Sequence, residues 1–304
     1  MRRQRRLRVF TLLAVAGLPA LAGPAHAQQR LKVFISADME GVTGAVTSEQ
    51  LGPTGFEYQR TREWMTAEVL AAIEGAREAG ATGIVVADAH GNGQNLLIDR
   101  LPDDVTIIRS WPRPLMMMEG IDSTFDAAIF IGYHSATTNP SGVRAHTISS
   151  ARLTGVHLNG AAMSESGINA AIAGHFGVPV VMISGDDAAV GEAQALIGPI
   201  EGAIVKRAIS FHSAATLTPA AGQALIREKV RAGIQRRASL RPYVMRAPIR
   251  LDVSFKSYRA AEILAYLPIV ERVDAHTIRF SGRSMIEVSR FIEFLVTYSV
   301  DIDP

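Results

Sequence analysis

Five side chains able to ligate a metal, and a sixth able to move a proton, stand at the ends of apolar or helical segments in this 304-residue chain. Asp38 and Glu40 close the stretch V-F-I-S-A-D-M-E-G-V-T-G at 33–44, His90 ends D-A-H, His134 ends G-Y-H, and Glu165 follows Ser164. Zinc and related ions take imidazole nitrogen and carboxylate oxygen, and catalytic sites use three protein ligands with one position open to water. Asp38, Glu40, His90, His134 and Glu165 therefore suffice for two ions if one carboxylate bridges them. Such a pair binds the attacking water and polarises the substrate carbonyl. Singly, each residue has an ordinary structural role: His90 and His134 can cap turns, and Glu165 can complement a helix dipole. Their joint appearance at element ends favours the metal reading.

His146 is a candidate of another kind. It follows a loop of small and polar residues, 135–145, which can close over a site and bring an acid, base or nucleophile with it. His26, His157, His175, His212 and His276 stand apart from ligand-type residues and are read as structural.

Residues so far apart need a fold to assemble them. Segments 33–37, 83–87, 105–108 and 127–131 are short apolar runs that suit strands buried on both faces. Residues 57–79 read as a long helix, with Met65, Val69, Ile73 and Ala76 on one face and Gly80 at its C-terminal cap. Strands alternating with helices give parallel βαβ units, whose ligands bind beyond the carboxyl ends of the strands. Asp38, Glu40, His90 and His134 all fall within three residues of such an end, so one sheet edge would gather them.

Farther on, 147–158 has β character, and Asn159-Gly160 is a two-residue hairpin turn. Ser164 caps a helix with Glu165 in its first turn, 178–184 is a buried strand, and Asp186-Asp187 opens a helix to 197. Residues 203–209 form a strand, 218–237 a helix with a basic, solvated face, and 249–255 and 277–280 two more strands. Ser284 and Glu287 make a capping box for a last helix. The fold class expected is α/β, a three-layer α/β/α arrangement with a mostly parallel sheet and a smaller C-terminal α/β portion. The metal-binding catalytic domain spans 28–207 and the C-terminal α/β domain 208–304.

Residues 1–27 are an export signal: five arginines through Arg8, an apolar stretch at 9–21, and Ala25-His26-Ala27 as an A-x-A cleavage site. The expected location is periplasmic or extracellular, with no membrane attachment once the signal is cleaved. Beyond it the chain carries 26 basic and 29 acidic residues, a net charge of −3, which leaves no basic footprint for nucleic acid. There is no cysteine, which excludes disulfides, thiolate nucleophiles and iron–sulfur clusters, and any metal must be held by nitrogen and oxygen.

Six ordered motifs, S-A-D-M-E-G at 36–41, W-M-T-x-E at 64–68, D-A-H at 88–90, G-Y-H at 132–134, A-H-T at 145–147 and S-E-S-G-I-N-A at 164–170, resemble those of the zinc-dependent D-aminopeptidases, self-compartmentalising metallopeptidases. The resemblance covers nearly all of the chain beyond the signal. It implies two zinc ions per chain, with Asp38 bridging and Glu40, His90, His134 and Glu165 completing the shell, and it makes His146 the catalytic histidine, as nucleophile or base. It also implies a short peptide substrate and a homo-oligomer, commonly a decameric ring. The family's D-S-H is D-A-H here, the segment between His134 and His146 is this chain's own, and the export signal is unlike a cytoplasmic enzyme. The expectation is an exported two-zinc aminopeptidase acting on short peptides of D configuration. The competing readings are an L-aminopeptidase or other amidase with the same metal pair, and a non-catalytic exported protein that binds peptide or metal.

Overall fold

The computed structural model describes residues 30–299, so the expected export signal at 1–27 lies outside the described residues. The chain opens with β1 (Leu31–Ala37), whose Val33, Phe34 and Ile35 have no solvent exposure, and continues through α1 (Tyr58–Glu78), β2 (Ala81–Asp88), β3 (Val105–Ile108) and β4 (Ala127–Tyr133). All seven residues of β4 are buried, as a strand covered on both faces requires. The hairpin β5 (Leu153–Leu158) and β6 (Ala161–Ala162) follows, then α2 (Glu165–His175), β7 (Val180–Asp186), α3 (Asp187–Ile197), β8 (Glu201–Ser210) and β9 (Ser213–Thr216). The last third comprises α4 (Pro219–Gln235), β10 (Ile249–Phe255), α5 (Tyr258–Leu264), β11 (Val270–Arg272), β12 (Thr277–Gly282) and α6 (Met285–Thr297).

Two sheets result. The larger has the order β3-β2-β1-β4-β7-β8-β9 and is parallel except for β9, which runs back along β8. Helices α1 and α4 pack together on it, and α2 packs with α3 and α6, so helices flank the sheet in two groups. The smaller sheet, β11-β12-β10-β5-β6, is antiparallel. The core is largely apolar, with Phe34 edge-on to Phe125 and Phe130 stacked on Tyr133. Among the described residues no helix is long and apolar enough to cross a membrane.

The main periodicities become the expected elements, with four differences. The β character of 147–158 yields a strand only from Leu153, because Ile148 takes a positive φ of 64° and turns its N–H to Glu165. Ser284 caps α6 as expected, but Glu287 grips the N–H of Arg283 instead of closing the box on the cap residue. The short elements β9, α5 and β11 carry too few residues to show a period. Finally, β5 and β6 belong to the smaller sheet, and Arg207 lies inside β8.

Candidate metal centre

At the carboxyl edge of the large sheet, the ends of β1 and β4 are pressed together. Asp38 N–H donates to Ile131 O at 2.8 Å and Gly41 N–H to Gly132 O at 2.7 Å. A Cβ on Gly41 would lie 2.0 Å from Tyr133 O. Gly132, at φ +71°, would place one 2.2 Å from Asp38 O. Glycine at both positions is what allows the acid turn and the His134 strand end to meet.

Each histidine of the edge is aimed by a backbone carbonyl. His90 Nε2 lies 2.7 Å from Leu51 O, which turns Nδ1 to Glu40 Oε2 at 2.8 Å and Asp38 Oδ1 at 3.2 Å. His134 Nδ1 lies 3.1 Å from Ser135 O, so its Nε2 faces Asp38 Oδ2 and Glu165 Oε2, both at 3.3 Å. An N–H donated outward to a carbonyl leaves the inner nitrogen lone pair for a cation, a common support for metal-binding histidine. The loop bearing His90 is fixed by Asp88, whose carboxylate accepts the N–H groups of Asn95 and Leu96, while Asn95 Nδ2 donates to His90 O at 2.6 Å.

Glu165 arrives from α2. Ser164 caps that helix by accepting from Gly167 N–H, and Glu165 Oε1 accepts from Ile148 N–H at 2.7 Å. His146 completes the cluster: Nδ1 is 2.9 Å from Arg144 O, Nε2 is 3.7 Å from Glu165 Oε1, and the ring stacks on His134. Its loop is pinned by Asp186, which accepts Val143 N–H, and by Glu192, which accepts Asn139 Nδ2.

The six residues expected from sequence thus converge as two groups, Asp38 with Glu40 and His90, and His134 with His146 and Glu165. Within each, the candidate ligand atoms all lie within 4.8 Å of one another. Asp38 joins them, presenting Oδ1 to His90 and Oδ2 to His134. His157, His175, His212 and His276 join neither group, and His26 lies outside the described residues.

The donor set fits zinc. It is buried, contains only nitrogen and oxygen, and leaves Asp38 Oδ2, Glu40 Oε2 and His134 Nε2 without a well-formed hydrogen bond. Its electrostatics ask for cations. Burial opposes the charged forms, yet His90 holds the Glu40 carboxyl well below the ordinary carboxylate range, and His134 lowers that of Glu165. Burial would likewise depress the imidazoles, but Glu40 and Asp38 raise His90, and Glu165 and Asp38 raise His134, well above the ordinary value. Asp38, caught between burial and Glu40, is raised.

Sequence reasoning passed over the supports beneath the turn. Lys206 is buried in β8 and donates to the carbonyl oxygens of Glu40 at 2.5 Å, Val42 at 3.1 Å and Ala45. Burial lowers its ammonium to about 8. Glu68, the acid of W-M-T-x-E, accepts Thr43 N–H at 2.8 Å, and burial raises its carboxyl to about 7. The motif signalled Glu68; a single lysine inside a strand signals nothing alone.

The cluster opens into a cleft of about 510 Å³, walled also by Trp111, Met117, Ile148 and Glu293. That is within the size range of small-molecule sites. The chain is 33% identical over 261 residues to a D-aminopeptidase of Bacillus subtilis, across 84% of this chain and 93% of that protein. Its structure is similar to that of the Zn-dependent D-aminopeptidase DppA from Bacillus subtilis, a self-compartmentalizing protease, with a TM-score of 0.85 and 30% identity over 90% of this chain and all of that one. A family model described as D-aminopeptidase matches residues 31–294, from the first residue of β1 into α6 and so across every residue of the cluster. With both sequence and fold in agreement over that span, the chain belongs to the D-aminopeptidase family of peptidases.

Proposed function

We propose that this protein is an exported, two-zinc D-aminopeptidase that removes the N-terminal residue of short peptides. The observation that carries the two-ion reading is Asp38, whose two carboxylate oxygens face different ligand groups, 3.2 Å from His90 Nδ1 and 3.3 Å from His134 Nε2. Zinc would be held by Asp38 as bridge, with Glu40 and His90 on one side and His134 and Glu165 on the other. The chemistry zinc supplies when bound is polarisation of the scissile carbonyl and a lowered pKa for water.

The chain's own residues supply the rest. His146 keeps Nδ1 at the Arg144 carbonyl and offers Nε2 to the cleft, beside Glu165 Oε1. There it takes the proton released on attack and returns it to the leaving amine. Attack by the same nitrogen is the competing role, and trapping of an acylated His146 distinguishes it. Trp111, Met117 and Ile148 supply apolar wall beside the bond being cleaved.

Export rests on the arginine-rich head, the apolar stretch and Ala25-His26-Ala27. Assembly as a ring of identical chains rests on family likeness and on exposed Ile263, Phe294 and Tyr298 around a groove of about 340 Å³.

The decisive experiment is hydrolysis of D-Ala-D-Ala and L-Ala-L-Ala by protein beginning at Gln28, zinc-loaded and chelated, with metal measured on the same sample. Chelator-sensitive cleavage favouring the D-peptide, with about two zinc ions per chain, supports the proposal. Inactivity at full metal occupancy sinks it.

A further inference from the structure

We propose that Arg152 anchors the C-terminal carboxylate of the bound peptide, so that the enzyme selects short peptides whose carboxylate is free. The inference deepens the peptidase reading above and rests on it. Histidines aside, Arg152 is the one basic residue among those lining the cleft that holds Asp38, Glu40, His90, His146 and Glu165. It also lines the adjoining groove, which none of those five reaches, so the cation stands at the end of the cleft away from the ligand cluster.

The guanidinium is exposed, directed by one side-chain hydrogen bond, and not neutralised. Nη1 donates to Val296 O in α6 at 2.9 Å, and Arg152 O accepts the N–H of Lys256 at 2.8 Å, which ties the residue to the smaller sheet. Its side-chain bond thus goes to a neutral carbonyl, and among the described residues it forms no ion pair. Glu293, the other charged residue of that wall, is engaged by the N–H of Arg113 at 3.1 Å. With Nη1 occupied, Nη2 and Nε remain as a parallel pair of donors, the fork that binds a carboxylate through both oxygens.

A dipeptide is a zwitterion with its amine and carboxylate at opposite ends. In a cleft with the ligand cluster at one end and a guanidinium at the other, the guanidinium is the partner for the peptide's carboxylate, and electrostatic matching of this kind sets orientation as well as affinity. The scissile carbonyl is thereby placed at the ligand cluster beside His146, with the carboxylate at Arg152. A peptide whose carboxylate is amidated, or displaced by several further residues, leaves the guanidinium unanswered.

The test compares D-alanyl-D-alanine with D-alanyl-D-alaninamide on the zinc-loaded wild-type protein and on Arg152→Gln and Arg152→Lys. A hydrogen-bonded charge is worth enough that the wild-type protein should favour the free acid by about tenfold or more in KM. In Arg152→Gln the acid-to-amide ratio should fall to about one, and Arg152→Lys should restore part of it. Calorimetric binding of the same two compounds to chelated protein reads the anchor without turnover. A wild-type protein that treats acid and amide alike, or an Arg152→Gln variant that keeps the preference, overturns the proposal. Preferential binding of the acid, erased by Arg152→Gln, with no turnover of either compound would remove the peptidase reading and leave the anchor standing.

Discussion

The imidazoles of His134 and His146 lie face to face, with ring centroids 4.0 Å apart and planes 9° from parallel. One ring points Nε2 at Asp38 and Glu165, the other stands over Glu165 on the cleft side. Stacking fixes the second ring by the first, and Arg144 O fixes its tautomer, so His146 is held ready although its loop is long.

His146 shares a ligand-distance group with His134 and Glu165, so its role has a direct test. Replacement of His146 by alanine should lower kcat by about 10²- to 10⁴-fold, the usual contribution of a general base. Zinc content should stay at the wild-type level. His134→Ala should lose both activity and metal. Metal analysis beside kinetics checks this, and loss of zinc from His146→Ala would make it a ligand.

Metal removal should leave a pH-dependent defect, because protons take the place of the ions. His90 and His134 have folded values well above 6.5, so their stabilising contribution is complete below about 6.5 and lost as pH rises through the raised values. Glu40 and Glu165 are lowered from 4.5, so theirs is present above that value and lost as pH falls through the lowered ones. Asp38, raised from 3.8, contributes stability that is lost as pH rises from that value through the raised one, in the same direction as the histidines. Chelated protein should therefore be most stable at mildly acidic pH. The Tm gap between loaded and chelated samples should widen from about pH 6 to about pH 9, and scanning calorimetry at both reads it. A gap that narrows refutes the idea that protons replace the ions.

The close approach of the acid turn to the end of β4 predicts a severe effect from one methyl group. Gly132→Ala meets Asp38 O and must hold a positive φ, which together cost about 2–6 kcal/mol. Urea unfolding of chelated protein measures that cost. Zinc affinity should fall as well, since the clash separates Asp38 from His134. The same substitution at Gly91, which has no atom within 4 Å, should cost much less and serves as a control for positive φ alone.

What was legible in the sequence follows from physical range. The apolar runs at β1, β2 and β4 have strand period and length, so the sheet edge and the four residues beyond it could be placed from local pattern. Ser164 announced α2 and hence Glu165, and Asn159-Gly160 announced the β5–β6 hairpin, with both residues at positive φ as the turn demands. The smaller sheet was hidden, because its pairing of β5 with β10 joins segments about ninety residues apart with no sign in either. Lys206 was hidden for the same reason: its three acceptors are carbonyls more than 160 positions away, and carbonyls carry no residue identity.

Lys206 allows a last prediction in which two effects oppose. Its burial lowers the ammonium from 10.5 to about 8, so below about 8 the charged form weighs against folding, and stability from this group rises as pH climbs from there to 10.5. Lys206→Met removes that burden but strands the carbonyls of Glu40 and Ala45, each at about 1–3 kcal/mol, while Val42 O keeps the N–H of Ala45. The two terms are of similar size, so the net change in stability of chelated protein near neutral pH should be modest. Position has no such compensation. The turn that carries Asp38 and Glu40 loses its one cationic tie, and zinc affinity should fall by about 10- to 100-fold, the usual effect of removing a group that holds a metal ligand in place. Competition against a chelator of known affinity measures it. Zinc binding within about twofold of wild type would show that Thr43 N–H on Glu68 and Gly41 N–H on Gly132 hold the turn unaided.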